Sequence, residues 1–164
     1  MEYAINLKTF TMIKKITSYC LCIFLITGIL TNKGLAQEGP TADHIALYVF
    51  DLKKSTAFYQ DIMQFKLVPE PFKDNKHSWF KISPHSRLHV IQGAADVQQH
   101  DINSHFAYHV KVLKQFTDHL DKKNIPYRNW AGDSKEPTVR PDGVKQVYFQ
   151  DPDNYWIEVN DDKL

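Results

Sequence analysis

An α+β fold made of two βαβββ modules is what this 164-residue sequence predicts. Three observations carry that expectation. His44-Ile45-Ala46-Leu47-Tyr48-Val49 and His105-Phe106-Ala107-Tyr108-His109-Val110 repeat one another, strand-like and each opening on a histidine. A short amphipathic helical segment follows each copy. Further short runs rich in aromatic and β-branched residues follow each helix. A duplicated unit that starts on the same residue type sets up two half-sites facing one another.

The chain begins with a segment of a different kind. Lys14 and Lys15 precede an apolar run from Ile16 to Leu30, and Gly34-Leu35-Ala36 follows it. Basic, apolar and small residues in that order predict a secretory signal over residues 1–36, with Met12 as an alternative start. The run is shorter than the roughly 20 residues a transmembrane span needs, so no stable membrane span is expected after cleavage. Neither Cys20 nor Cys22 ends the apolar run, which disfavours a lipoprotein signal. Cleavage after Ala36 removes both cysteines, so the remaining chain has neither a disulfide framework nor thiol chemistry. Residues 1–36 hold four Lys and one Glu; what remains has 16 Lys and Arg against 18 Asp and Glu, a net charge of −2. No basic patch points to nucleic acid. The expected location is exported, periplasmic or secreted, with one domain over residues 37–164.

The first module is expected over about residues 43–103. His44 to Phe50 reads as a strand with His44, Ala46 and Tyr48 on one face and Ile45, Leu47 and Val49 on the other. Asp51 caps a helix running to about Met63, with Phe58 and Ile62 on its buried side. Phe65 to Val68, Ser78 to Ile82 and Arg87 to Ile91 read as strands, punctuated by Pro69, Pro71, Asp74-Asn75 and Pro84. The second module is expected over about 104–160. After the His105 strand, Leu113, Phe116 and Leu120 give the stripe of an amphipathic helix, and Asn124 with Pro126 stops it. Tyr127 to Trp130, Val144 to Phe149 and Tyr155 to Val159 read as its strands, with Asp151-Pro152-Asp153-Asn154 turning between the last two.

Strand position sorts the polar residues. His44 and His105 open the first strand of each module. His89 and Glu158 fall at matching places on the fourth strands. A lone carboxylate between Ile157 and Val159 is costly to bury unless paired or bound to a cation. If the modules pack about a pseudo-twofold axis, the four positions converge. Three imidazoles and a carboxylate suit one divalent ion such as Zn, Fe, Ni or Mn. His109, on the face of His105, reads as a supporting or packing residue. Arg87 shares the face of His89. His77, His85, His100 and His119 read as solvated. No glycine-rich phosphate loop and no nucleophile elbow is present.

At HIALYVFDLKKSTAFYQDIMQFKLV and GVKQVYFQDPDNYWIEV the chain resembles the vicinal oxygen chelate superfamily, the glyoxalase/bleomycin-resistance/dioxygenase fold. The resemblance implies paired modules forming a cup around a metal site. Its glyoxalase I branch implies four ligands, which fall on His44, His89, His105 and Glu158. Its ring-cleaving dioxygenases and fosfomycin-modifying enzymes imply three, which fall on His44, His105 and Glu158. Two residues depart from the family pattern. Gln64 replaces a usual glycine, and His89 stands where glyoxalase I has a second glutamate.

The reading is therefore an exported, metal-dependent enzyme. It would perform lyase or isomerase chemistry on a small molecule that chelates through adjacent oxygens, with Glu158 as the catalytic proton carrier. The alternatives are a dioxygenase or fosfomycin-modifying enzyme, and a metal- or small-molecule-binding resistance protein without turnover. A homodimer is compatible with each. The export reading predicts that the protein recovered from its native host begins at Gln37 by intact-mass spectrometry; residues 14–30 retained in soluble cytoplasmic protein would overturn it.

Overall fold

The structure, a computed structural model, describes residues 39–163. The signal segment expected over residues 1–36 lies outside the described residues. Among the described residues, no helix is long and apolar enough to cross a membrane.

The chain runs β1 (His44–Val49), α1 (Leu52–Asp61), β2 (Lys66–Val68), β3 (His77–Lys81) and β4 (Arg87–Gln92). It then repeats the order with β5 (His105–His109), α2 (Leu113–Lys122), β6 (Thr138–Val139), β7 (Lys145–Gln150) and β8 (Trp156–Asn160). Each module forms its own four-stranded sheet, ordered β1-β4-β3-β2 and β5-β8-β7-β6. The first and fourth strands of each module pair in parallel, which the crossover through the helix makes possible. The repeat holds to the residue: Ala46 lies opposite His89, and Ala107 lies opposite Glu158.

Local chemistry explains the element ends. Asp51 caps α1 by accepting the Lys54 N–H at 3.0 Å. α2 has Val112 at its N-cap, which offers no side-chain cap, and Asn124 follows its end in the left-handed conformation at φ 56°. Gln64 takes the same conformation at φ 57°, one that a residue with a side chain disfavours.

The strand expected over Tyr127 to Trp130 is a correction. Only Arg128 pairs there, as a single bridge to Tyr148. The Asn129 side-chain oxygen accepts the Gly132 and Asp133 N–H groups, and the Trp130 N–H donates to Thr138 Oγ1. Those bonds turn the backbone out of the ladder after one residue. The outer strand of that sheet is instead the two-residue β6, which pairs with Lys145 and Gln146.

The most extensive packing between elements lies within modules. One core nonetheless serves both, with Leu47, Val49, Phe80, Leu88 and Val90 from the first and Leu120, Val147, Phe149, Ile157 and Val159 from the second. Each fully buried side chain of this size contributes roughly 1.5–3 kcal/mol. Phe58 of α1 packs on Phe149 of β7 at 6.3 Å between ring centroids. A buried polar tie crosses the same seam. Tyr59 donates to Asp151 Oδ2 at 2.6 Å and Ser55 to Asp153 Oδ2 at 2.7 Å, while the Phe50 N–H donates to Asp153 Oδ1 at 2.7 Å.

Burial pushes the Asp151 carboxyl up to about 6, against hydrogen bonds from Tyr59 and from the Tyr155 and Asp153 N–H groups that favour the ionised form. A carboxyl raised in the folded state stabilises the fold most at low pH, and that stability is lost as pH rises from the ordinary value of 3.8 through 6. Two units correspond to about 3 kcal/mol. Urea midpoints should therefore fall between pH 4 and 6.5 in the parent protein and fall less in Asp151→Asn; equal pH profiles in the two would exclude this assignment.

Candidate metal centre

The strand registers give two half-sites with the same plan. In the second module, His105 leads β5 and Glu158 sits on β8 two residues past its partner Trp156. The His105 Nδ1 is 2.7 Å from the Ile102 carbonyl oxygen, which leaves Nε2 free and 3.3 Å from Glu158 Oε2. Glu158 is 6% exposed. Its Oε2 accepts from the Tyr148 hydroxyl at 2.7 Å and its Oε1 from the Asn160 amide at 2.7 Å. Gln146 donates in turn to the Tyr148 oxygen. Burial, then the bond to Glu158, pushes the Tyr148 phenol up, so it remains a donor.

Among the described residues, neither Lys nor Arg lies within 4 Å of the Glu158 carboxylate. The carboxylate is fixed in place yet lacks a full counter-charge, the environment that a cation relieves. Beside it opens a cavity of about 1030 Å³ lined by His105, His109, Trp130, Arg140, Tyr148 and Glu158 among others. Arg140 is the fixed cation nearest its mouth, but Asp142 and Asp162 already pair with it.

In the first module, His44 takes the place of His105 and His89 that of Glu158. The His44 Nδ1 lies 2.6 Å from Asp43 Oδ2, again leaving Nε2 free. The hydrogen bond from His44 holds the Asp43 carboxyl below the usual carboxylate range. His89 stacks on His44 with ring centroids 4.2 Å apart and on Trp79 at 3.8 Å. Burial, then the neighbouring His44, lowers the His89 imidazole below its ordinary value. The His44 face of the sheet is open: the His44 side chain is 44% exposed and Tyr48, four residues on, is 55% exposed.

The structure thus brings His105 together with Glu158, and His44 together with His89, but does not gather the two pairs within one chain. Neither His44 nor His89 lines the cavity of Glu158. The one group of three among the described residues with ligand atoms within 4.8 Å of one another is Glu70, Asp74 and His77. Its carboxylates are already engaged. Glu70 accepts the Phe72 and Lys73 N–H groups, and Asp74 bonds the Lys76 N–H and His77 Nδ1, so the cluster shapes the loop before β3.

Four of the other histidines have defined contacts, and His85 is exposed. His77, read from sequence as solvated, opens β3 half-buried, with Phe72 4.5 Å from its ring. His100 stacks on Tyr155 at 4.1 Å, and His119 Nε2 lies 3.1 Å from the Asp61 carbonyl. His109 lines the cavity, and Arg87 holds the Ser86 carbonyl. Sequence reading missed Tyr148, Asn160, Asp43 and Trp79. Register exposes three of them: Tyr148 lies opposite Glu158, Trp79 lies opposite His89, and Asn160 follows Glu158 on the same face. Asp43 directly precedes His44.

Two βαβββ modules with a histidine at each lead position define a vicinal oxygen chelate fold. The chain belongs to the Glyoxalase/Bleomycin resistance protein/Dioxygenase superfamily, which it matches over residues 41–159. It is similar to the uncharacterised protein YwbC of Bacillus subtilis (strain 168), 24% identical over 122 residues that cover 71% of this chain and 93% of that protein. Its fold is that of the fosfomycin resistance protein FosX of Listeria monocytogenes (TM-score 0.62, 21% identity, 77% of this chain and 94% of that one). It is also that of a lactoylglutathione lyase from Agrobacterium tumefaciens (TM-score 0.57, 21% identity, 75% and 95%).

Tyr148 is the support whose removal tests this geometry. Tyr148→Phe should destabilise the protein by about 1–3 kcal/mol in urea unfolding, because Glu158 and Gln146 both lose a buried partner. A change below about 0.5 kcal/mol would show that the phenol does not hold the carboxylate.

Proposed function

We propose that this is an exported, divalent-metal-dependent enzyme acting on a small molecule that chelates through two adjacent oxygens, by lyase or isomerase chemistry. One observation carries the reading. Both lead histidines tie Nδ1 to an oxygen and present Nε2, the arrangement that orients an imidazole toward a metal, and a buried, doubly hydrogen-bonded carboxylate stands beside one of them. Nitrogen and carboxylate donors of this kind fit Zn, Fe, Ni or Mn.

His44 and the pair His105 with Glu158 belong to one site in this reading, and they meet across two copies of the chain. β1 and β5 are both sheet edges, and the open His44 face, with exposed Tyr48 and Phe50, is the surface a second copy covers. A bound divalent ion would polarise the paired oxygens of the substrate. Glu158 is the group that takes up and returns a proton, while Tyr148 and Asn160 hold it in one rotamer. Trp130 and the apolar side chains of Met63, Phe65 and Phe116 line the cavity beside that carboxylate. The second reading, a ring-cleaving or fosfomycin-modifying enzyme, uses the same three ligands and draws on the likeness of fold to FosX. A binding protein without turnover is the third.

Metal analysis and sedimentation test the site together. One divalent ion per chain should be retained by the parent dimer. His44→Ala and Glu158→Gln should each lose it while staying folded. Mixing the two variants should restore about a quarter of the parent metal, because half the dimers are mixed and each has one intact site of two. No recovery on mixing, with metal bound by the parent, would place the site within one chain. Metal bound but no turnover across carbonyl, catechol and epoxide substrates would favour the binding protein.

A further inference from the structure

The same register produces different geometry in the two modules. In the second, Glu158 reaches toward His105 Nε2 at 3.3 Å, and the His105 ring stands edge-on to Tyr148, at 80° with centroids 5.5 Å apart. In the first, the residue at the Glu158 position does not converge on its lead histidine but lies flat against it. His89 and His44 are parallel to within 11°, at 4.2 Å. Trp79, opposite His89 across the β3–β4 ladder, covers the other face at 3.8 Å and 5°. His89 is held between two plates. Ala46, its direct neighbour on β1, is small enough to leave the diagonal to His44 clear.

Parallel rings cannot share an ion. A metal lies in the plane of each imidazole that binds it, about 2.0–2.1 Å from the nitrogen. Rings in contact stand about 3.5 Å apart, so an ion in the plane of His44 is out of reach of a nitrogen in the plane of His89. We propose that His89 is a positioning residue: with Trp79 behind it, it fixes the plane of the His44 ring and so aims Nε2, and it is not a fourth metal ligand. Asp43 sets the rotation of the His44 ring from its Nδ1 side, and the His89 face sets its tilt. The two contacts leave His44 one orientation. This inference rests on the reading of His44 as a ligand.

The test needs a replacement that keeps the flat surface and removes the nitrogens. His89→Phe does so, His89→Ala removes both, and Trp79→Ala removes the support. Cobalt(II) titration of the full chain without its leader, followed by visible absorption, reads affinity and ligand set. His89→Phe should keep cobalt affinity within about 3-fold and the same spectrum, while His89→Ala and Trp79→Ala should each weaken it about 10-fold, as loss of a ligand's support does. A His89→Phe protein that loses cobalt as fully as His89→Ala, or shows a changed spectrum, overturns the proposal. The metal-free protein supplies an independent reading. NMR couplings of His44 should report one side-chain rotamer in the parent and in His89→Phe, and averaging in His89→Ala. An unaltered His44 rotamer in His89→Ala overturns the positioning role. A parent protein that binds no cobalt speaks against the metal-enzyme reading, and the NMR comparison still decides the role of His89.

Discussion

The parallel pairing of the first and fourth strand in each module is the constraint on which the rest of this molecule depends. Parallel strands cannot be joined by a tight turn, so each pair requires a helix to carry the chain across and two more strands to fill the sheet. The pairing also fixes which residues share a face. With Ala46 opposite His89 and Ala107 opposite Glu158, a lead histidine and a fourth-strand polar residue lie on one diagonal in both modules. A slip of one residue would send every one of them to the core side, where Leu47, Val49, Ile157 and Val159 are fully buried. The apolar alternation of the strands therefore protects the polar constellation as firmly as it builds the core.

Much of this was legible before any coordinates. Period-two alternation in HIALYV gave the exposed and buried faces of β1 correctly, and Asp51 and Asn124 marked helix ends because each has a side chain suited to one specific backbone conformation. The strand expected at Tyr127 failed for an equally local reason: Asn129 and Thr138 offer the backbone hydrogen bonds that a ladder would otherwise supply. Strand parity also put His44 with His89 on one face of the first sheet and His105 with Glu158 on one face of the second. It could not say which faces meet. Whether two half-sites close on each other is decided by the way modules pack, and that depends on contacts such as Phe58 with Phe149 and Tyr59 with Asp151, scattered over the sequence. The stack of Trp79, His89 and His44 was invisible for a related reason, since ring planes are set by neighbours on other strands.

The two copies have diverged in a telling way. Both keep a histidine with one nitrogen anchored to an oxygen. One copy keeps a carboxylate supported by a tyrosine and an asparagine, whereas the other has an imidazole packed against an indole. A charged group needs donors around it, and an aromatic ring needs flat surfaces, so each neighbourhood has changed with its central residue. The position equivalent to Tyr148 is Trp79, and the substitution of one large aromatic for another keeps the volume while replacing a hydroxyl by a stacking face.

The polar tie between Ser55, Tyr59, Asp151 and Asp153 has a consequence for how the duplication behaves as a whole. A repeat can survive as two loosely coupled halves, each melting by itself. Here the turn of one half carries carboxylates that accept from Tyr59, Ser55 and the Phe50 N–H of the other, and neither half can open without stripping those oxygens of a buried partner. The two modules are therefore expected to melt in a single step.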